Sequence, residues 1–504
     1  MKIQKRLAPK EMGVTNEIFE VMASEVDSNG ATAGDVLTAD GAGGSSWQPG
    51  DDSDWVQVGD GWSLLGGGDD RGLGAVDLQY TRANDAQVAS GDYSVIGGGR
   101  YNTVSGENSV IGGGYGNTVV GMDSFIGGGL LNICSEPYTG KSVISGGYYN
   151  HNYGTMSAIS SGMENLISGA QFAFIGSGLS NKCYADSSAI GAGNQNYIAV
   201  SGQGGFIGGG QRNKINNNQY AVIVGGRNNE VYGDSSSCSA ILGGDYNYIY
   251  GSADAILGGV DNSIGDESSY SSIICGKNNT VNDSNGSFVS GLANSIVNSN
   301  NSAIVGGQNA YMNGGNSTVF VGAPSGSLLG GGSNVALAGG GVLNAAQSVT
   351  IGPSRTDILG QLALTSAAFS FANKGDAQTS FVVAVRETED ATPSQLWVGG
   401  DMYEEDLLIP TGTTWAFDIL VAARREDADN ESAGYHFLGV IDNNAGTTAL
   451  VGAVAKTVIA EDDADWDCNV TADDVDDALV ITVTGEAGKT IRWVARVNLV
   501  HVKG

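Results

Sequence analysis

Apolar residues between positions 90 and 300 fall in one short recurring pattern. It begins Ser94-Val-Ile-Gly-Gly-Gly-Arg-Tyr-Asn102, repeats as Ser109-Val-Ile-Gly-Gly-Gly-Tyr-Gly-Asn117, and again as Ser124-Phe-Ile-Gly-Gly-Gly-Leu-Leu-Asn132. The closing Asn returns at 150, 165, 181, 196, 213, 229, 247, 262, 279 and 294, each 15 to 18 residues after the last. Six residues before every Asn stands an apolar residue, a column that runs from Ile96, Ile111 and Ile126 to Ile273 and Phe288. Weaker copies continue at Ile304, Leu329, Leu337 and Ile351. A short fixed period of this kind predicts a solenoid.

The length of the repeat selects the type. Each copy holds two β-compatible runs, such as Ser94–Ile96 and Asn102–Val104, each followed by a Gly-rich break. Runs this short between glycines read as strands. Two strands and two tight turns use up the repeat, so each copy predicts one coil of a flat, two-sheeted parallel β-roll. Coils would stack at the spacing of paired strands, about 4.8 Å. The Asn column (Asn102, Asn117, Asn132 and onward) is expected at the turns, tolerating left-handed backbone and bonding its own copies above and below. So thin a roll needs lateral association, and a parallel homotrimer is the simplest closed solution.

The pattern changes at both ends. Ile18, Val21, Met22 and Val26 predict a short amphipathic helix over about 17–25, within an N-terminal attachment segment, residues 1–60. The Gly-rich roll is assigned to 61–360. From 361 to 504 longer alternating runs appear: Ser380–Arg386, Trp415–Ala422, Tyr435–Ile441, Ala478–Thr484 and Thr490–His501. In the last, Ile491, Trp493, Ala495, Val497 and Leu499 share one face. These runs predict an antiparallel β-sandwich or jelly roll. The fold class expected is therefore all-β throughout, apart from the N-terminal helix.

The segments SVIGGGRYNTVSG and SVIGGGYGNTVVG resemble head repeats of trimeric autotransporter adhesins, a resemblance that implies a left-handed parallel β-roll trimer. The stretch Ala31-Thr-Ala-Gly-Asp-Val-Leu-Thr-Ala-Asp-Gly-Ala-Gly-Gly-Ser-Ser-Trp47 resembles linkers of bacteriophage tail fibres and tailspikes. That resemblance implies a homotrimeric virion appendage made in the host cytoplasm. Its N-terminus would bind a tail or baseplate protein, and its distal domain would bind a bacterial surface glycan or protein or lock the trimer. The alternatives are a capsid-attached head fibre, a polysaccharide-degrading tailspike and a bacterial trimeric surface adhesin.

Composition narrows the chemistry. The chain has 504 residues, 80 of them Gly and 7 Pro, and a formal charge of −31. Without a three-residue Gly period it is not collagen, and its acidity argues against nucleic acid as a partner. No apolar run is long enough for a membrane-spanning helix, and Met1–Gly13 lacks the apolar core of a secretory signal. Five widely spaced Cys without a CxxC fit free thiols. Neither HExxH nor GxSxG occurs. Gly140-Lys141-Ser142 copies the end of a P-loop without its first Gly and reads as a turn. The acidic runs Glu461–Asp467 and Asp473–Asp477 lack the spacing of a Ca²⁺ loop and read as solvated. Glu404 and Glu405 are a carboxylate pair of the sort glycoside hydrolysis uses. The sequence supplies no catalytic set, metal site or cofactor, and the expectation is a binding protein, not an enzyme. Trp397, Tyr403 and Trp466, flanked by polar or acidic residues, are the candidates for stacking on sugar rings.

Overall fold

The computed structural model describes residues 71–504, short interruptions apart, and four strands before them: Asp35–Ala39, Ser45–Pro49, Trp55–Val58 and Gly61–Leu64. The expected helix at 17–25 lies outside the described residues. The chain forms two compact units, Met1–Gly225 and Gly226–Gly504.

In the first unit, Trp55–Val58 pairs antiparallel with Gly61–Leu64, which pairs in parallel with Val76–Asp77. From there the chain is a parallel two-sheet solenoid. One sheet stacks Val95–Ile96 on Val110–Ile111 and Phe125–Ile126 and continues to Val222–Ile223. The other stacks Thr103–Val104 on Thr118–Val119 and Ile133–Cys134 and continues to Lys214–Asn216. Only two residues of most strands pair, because each coil spends the rest of its length on turns. The inward residue of each pair is fully buried: Ile96, Ile111 and Ile126 in one sheet, Val104, Val119 and Cys134 in the other.

Two polar columns complete this core. Asn102 Oδ1 accepts the backbone N–H of Asn117 at 3.0 Å, and Asn117 Oδ1 accepts that of Asn132 at 3.0 Å. Asn117 Nδ2 donates to Gly113 O and Gly129 O at 3.1 and 3.0 Å. Each amide thus satisfies backbone groups of its own and adjacent coils. Ser109 Oγ similarly donates to Gly121 O at 2.8 Å and accepts the N–H of Ser124 at 3.0 Å. The left-handed residue is not the Asn, as the sequence suggested, but the one before it: Tyr101, Leu131, Tyr149, Glu164, Ser180, Gln195 and Arg212 all have φ between 54° and 59°. The Gly three residues before the Asn is required by close approach. A Cβ on Gly114 would lie 2.3 Å from Gly129 O, and on Gly178 2.0 Å from Gly193 O.

The coil at Val76–Asp77 turns polar groups inward where later coils place aliphatic ones. Asp77 stands in register with Ile96 and is fully buried, paired to Arg82 at 2.8 Å. Gln79 accepts the N–H of Asn102 at 2.8 Å and donates to Asn102 O at 3.0 Å.

The second unit continues the same coil plan. Its inward columns include Ile241, Ile256 and Ile273 in one sheet and Ile249, Ile264 and Val281 in the other. Here three expectations shift by one residue. Val289, not Phe288, pairs with Ile273 and is fully buried. Ala336 and Thr350, not Leu337 and Ile351, follow Ile304 and Phe320 inward. A turn one residue shorter or longer exchanges which of two apolar neighbours faces in. Leu329 has no described side chain.

The last parallel strand, Leu362–Leu364, pairs antiparallel with Ala377–Thr388 and so hands the solenoid sheet on to a long antiparallel one. That sheet runs in the order Trp397–Val398, Ala377–Thr388, Ile491–Lys503, Thr413–Arg425, Ser432–Asn443, Ala455–Glu461. Opposite it lies a second antiparallel sheet centred on Ala478–Thr484, flanked on one side by Asp467–Asp473 and on the other by Ser394–Gln395 and Leu407–Leu408. The two share one core, in which Trp415, Phe417, Tyr435 and Trp493 meet Cys468, Ile481 and Val483. Ile491 to Leu499 alternate inward and outward as the sequence implied.

Candidate functional site

The buried Asn column leaves an outward residue on each side of it. The residue before the Asn is held at the left-handed corner by its N–H, which bonds the preceding coil: Tyr149 N to Leu130 O at 2.9 Å, Glu164 N to Tyr148 O at 3.0 Å. The residue after the Asn opens the strand and also points outward. Four successive coils, at about 4.8 Å each, therefore line up two outward columns: Tyr149, Glu164, Ser180, Gln195 and His151, Leu166, Lys182, Tyr197.

Between these columns lies a groove of about 580 Å³ floored by Asn165 and Asn196. Its size is that of a small-molecule site. Small Ser180, between Glu164 and Gln195, keeps the middle open, and its Oγ donates to Glu164 Oε2 at 2.8 Å. One end is aromatic. Tyr149 and His151 have ring centroids 4.6 Å apart, His151 and Tyr153 5.7 Å. Beyond the other end Tyr184 packs at 5.5 Å from Tyr197. Arg212 Nε donates to Gln195 Oε1 at 2.9 Å.

The charges are sparse and mixed. Burial lowers the pKa of His151, which favours the neutral imidazole. Burial, with Tyr149 adding to it, raises the pKa of Tyr153 and keeps its hydroxyl protonated. The site thus offers aromatic faces, hydroxyl and amide hydrogen-bonding groups, one carboxylate and one ammonium. Flat amphipathic rings bordered by such groups suit a ligand with apolar faces and polar edges. Tyr149, Glu164 and Gln195 hold non-glycine side chains at positive φ, a backbone cost of roughly 1 kcal/mol or more each.

The sequence candidates lie elsewhere. Asn102, Asn117, Asn132, Ile96, Ile111 and Ile126 are where the repeat places them, all fully buried. Trp466 is 1% exposed: it packs 5.9 Å from Trp493 within the terminal core, so it cannot offer its face to a ligand. Its acidic neighbours are solvated while its own side chain turns inward. Trp397 is half-buried in a short edge strand, and Tyr403 lies outside the described residues. Glu404 and Glu405 are exposed. The acidic loops are partly spent on Lys489, which pairs with Asp463 at 2.6 Å, Glu431 at 2.9 Å and Glu486. Gly140 and Lys141 form the turn the sequence suggested, and Ser142 joins the buried Ser column. All five Cys are free. The groove itself was missed, although Tyr149, His151, Tyr153, Tyr184 and Tyr197 sit at outward positions around the Asn.

No family model and no curated protein matches the chain. Among solved structures, the chain is similar to the tailspike protein gp49 of Acinetobacter baumannii bacteriophage Fri1, described as a capsular polysaccharide depolymerase. The identity is 9%, the coverage 87% of this chain and 79% of that one, and the TM-score 0.24. It is also similar to the tailspike protein of Acinetobacter phage vB_ApiP_P1, at 8% identity, 86% and 81% coverage and a TM-score of 0.20. Similarities this low carry no argument about activity. The expectation that the chain is not an enzyme is withdrawn: gp49 is described as a depolymerase, and nothing in the sequence alone excludes activity. The groove places Glu164, His151 and Lys182 on one concave surface.

Proposed function

We propose that this chain is the shaft protein of a bacteriophage tail appendage of the tailspike type, and that its solenoid engages a bacterial surface polysaccharide. The observation that carries the binding reading is the groove bounded by Tyr149, His151, Glu164, Lys182 and Tyr197. The linker resemblance at Ala31–Trp47 supports the virion assignment. Attachment through residues 1–60 and a receptor role for the terminal domain belong to the same proposal.

Assembly as a homotrimer is supported by the other sheet. Phe125, Phe174 and Phe206 stand outward on it, each about 40% exposed, in one column with Val143, Ala158 and Ala189 between them, an apolar strip that a monomer would leave wet. Light scattering on the full chain should give three times 51.4 kDa.

The binding reading is tested with purified capsular and O-antigen polysaccharides. Tyr149→Asn with Tyr197→Ser should weaken retention about tenfold or more, the usual cost of removing aromatic anchors. Unchanged retention would sink the reading. A second reading, that the groove also cleaves the chain it holds, has Glu164 in its favour: it is the groove's one carboxylate, hydrogen-bonded to Ser180. Release of oligosaccharides by the native protein and its loss in Glu164→Gln would establish it; intact polysaccharide after long incubation would remove it.

A further inference from the structure

The aromatic row at the groove occupies three set positions of one coil: Tyr149 before the Asn, His151 after it, and Tyr153 two residues on. In the second unit, one coil carries aromatic residues at the same three positions around Asn247: Tyr246, Tyr248 and Tyr250. The correspondence extends one coil further. Glu164 precedes the Asn of the coil after Tyr149, and Asp261 precedes the Asn of the coil after Tyr246.

The row is a surface, not a core. Tyr246 and Tyr250 are exposed, and Tyr246 and Asp261 sit at the left-handed corner with φ of 55° each. The rings of Tyr248 and Tyr250 are 6.3 Å apart and inclined by only 12°, so their planes are nearly parallel and the two rings stack. Tyr232, on the preceding coil, adds a ring 6.2 Å from Tyr250. Burial first, then Tyr250, Glu230, Tyr246 and Asp261, push the Tyr248 hydroxyl above its ordinary range, so it stays a hydrogen-bond donor at neutral pH. The guanidinium beside the row, Arg227, is already held by Asp245.

We propose that the row Tyr246–Tyr248–Tyr250 is a second saccharide-binding site, built on the plan of the groove and selective for uncharged sugar rings. Phenol faces match the apolar faces of pyranose rings, and the hydroxyls match their edges. The groove has Lys182 to meet an acidic sugar, whereas this row has phenols and the carboxylates of Glu230 and Asp261, which repel uronates and phosphates. Two sites on one chain would raise retention of a long polymer through effective concentration. The proposal rests on the saccharide reading of the groove but fails separately from it.

The test uses the full chain against a panel of purified bacterial surface polysaccharides, neutral and acidic, measured by biolayer interferometry. Four proteins are compared: native, Tyr248→Ser/Tyr250→Ser, Tyr149→Asn/Tyr197→Ser, and Asp261→Lys. The first variant should lose about tenfold in affinity for neutral polymers and little for acidic ones. Asp261→Lys should extend binding to acidic polymers. Loss in the groove variant alone overturns the second site and leaves the groove standing. Loss in the row variant alone supports the second site and overturns the groove. No polymer bound by the native protein overturns both.

Discussion

The solenoid coils and the terminal sheets are both all-β, yet they are held together in different ways. A coil contributes one inward aliphatic residue per two-residue strand, and beside it a Ser and an Asn whose bonds run to the next coil. The terminal domain buries Trp415, Phe417, Ile419 and Val421 along a single strand against a second sheet. In the first case every contact is with a neighbour, so stability is added coil by coil. In the second the contacts close on one another, and the core is lost or kept together.

The largest test of this difference is a pair of core variants. Trp493→Ala should cost the terminal domain about 3–5 kcal/mol and loosen its whole core together. Ile111→Asp, an unpaired charge in a thin core, should also cost several kcal/mol, but only over the adjacent coils. Hydrogen exchange followed by mass spectrometry separates the two outcomes. Spread of the Ile111→Asp effect through all coils would erase the contrast.

Next in size is the polar column. Asn132→Ala removes the acceptor for the Asn150 N–H and the donor to Gly128 O and Gly147 O. Each group left unsatisfied costs about 1–3 kcal/mol, and exchange at Asn150 should rise most. Gly114→Ala should cost about 1 kcal/mol or more, since its φ of 97° and the nearby Gly129 O both oppose a Cβ.

The gentlest probe is pH, at most about 1.4 kcal/mol per pH unit for one proton, and its sign differs between the regions. Asp254 takes the place of Ser in the buried Ser column. Its Oδ1 accepts the Ser271 N–H at 2.7 Å, and its Oδ2 is buried without a partner. Burial pushes its carboxyl up to about 7 from 3.8. The unfolded chain therefore releases the proton, and coil stability should fall as pH rises from about 4 toward 7. Asp254→Ser should flatten that slope. In the terminal domain, burial pushes His501, bonded to Ser380 at 2.6 Å, down to about 4 from 6.5. Unfolding there takes up a proton, so stability should fall as pH drops from 6.5 toward 4. Chemical denaturation at a series of pH values, followed by exchange in each region, reads both slopes. A common slope would contradict the burial of one of the two groups.

Much of the coil plan was legible in the sequence because its period survives every insertion. Ile96, Ile111, Asn102 and Asn117 announce their roles by spacing alone. The slips at Phe288, Leu337 and Ile351 were not legible, because two apolar neighbours compete for one inward position and only the turn decides. Trp466 misled because chain neighbours describe a loop's surface, not where one side chain goes. The groove was hidden for a related reason. It is made by residues before and after a buried Asn on four coils, so no contiguous motif carries it.

The corner before each Asn has a consequence for how such a surface can change. Its backbone is fixed by bonds from its own N–H to the coil below, as at Tyr149 and Glu164, and not by anything its side chain does. The seven non-glycine corners of the first unit hold Tyr, Leu, Glu, Ser, Gln and Arg at nearly one φ. Exchange among them alters the groove's wall while the conformational penalty stays almost constant. For the binding proposed above, specificity can therefore drift one substitution at a time, without passing through a misfolded intermediate sequence.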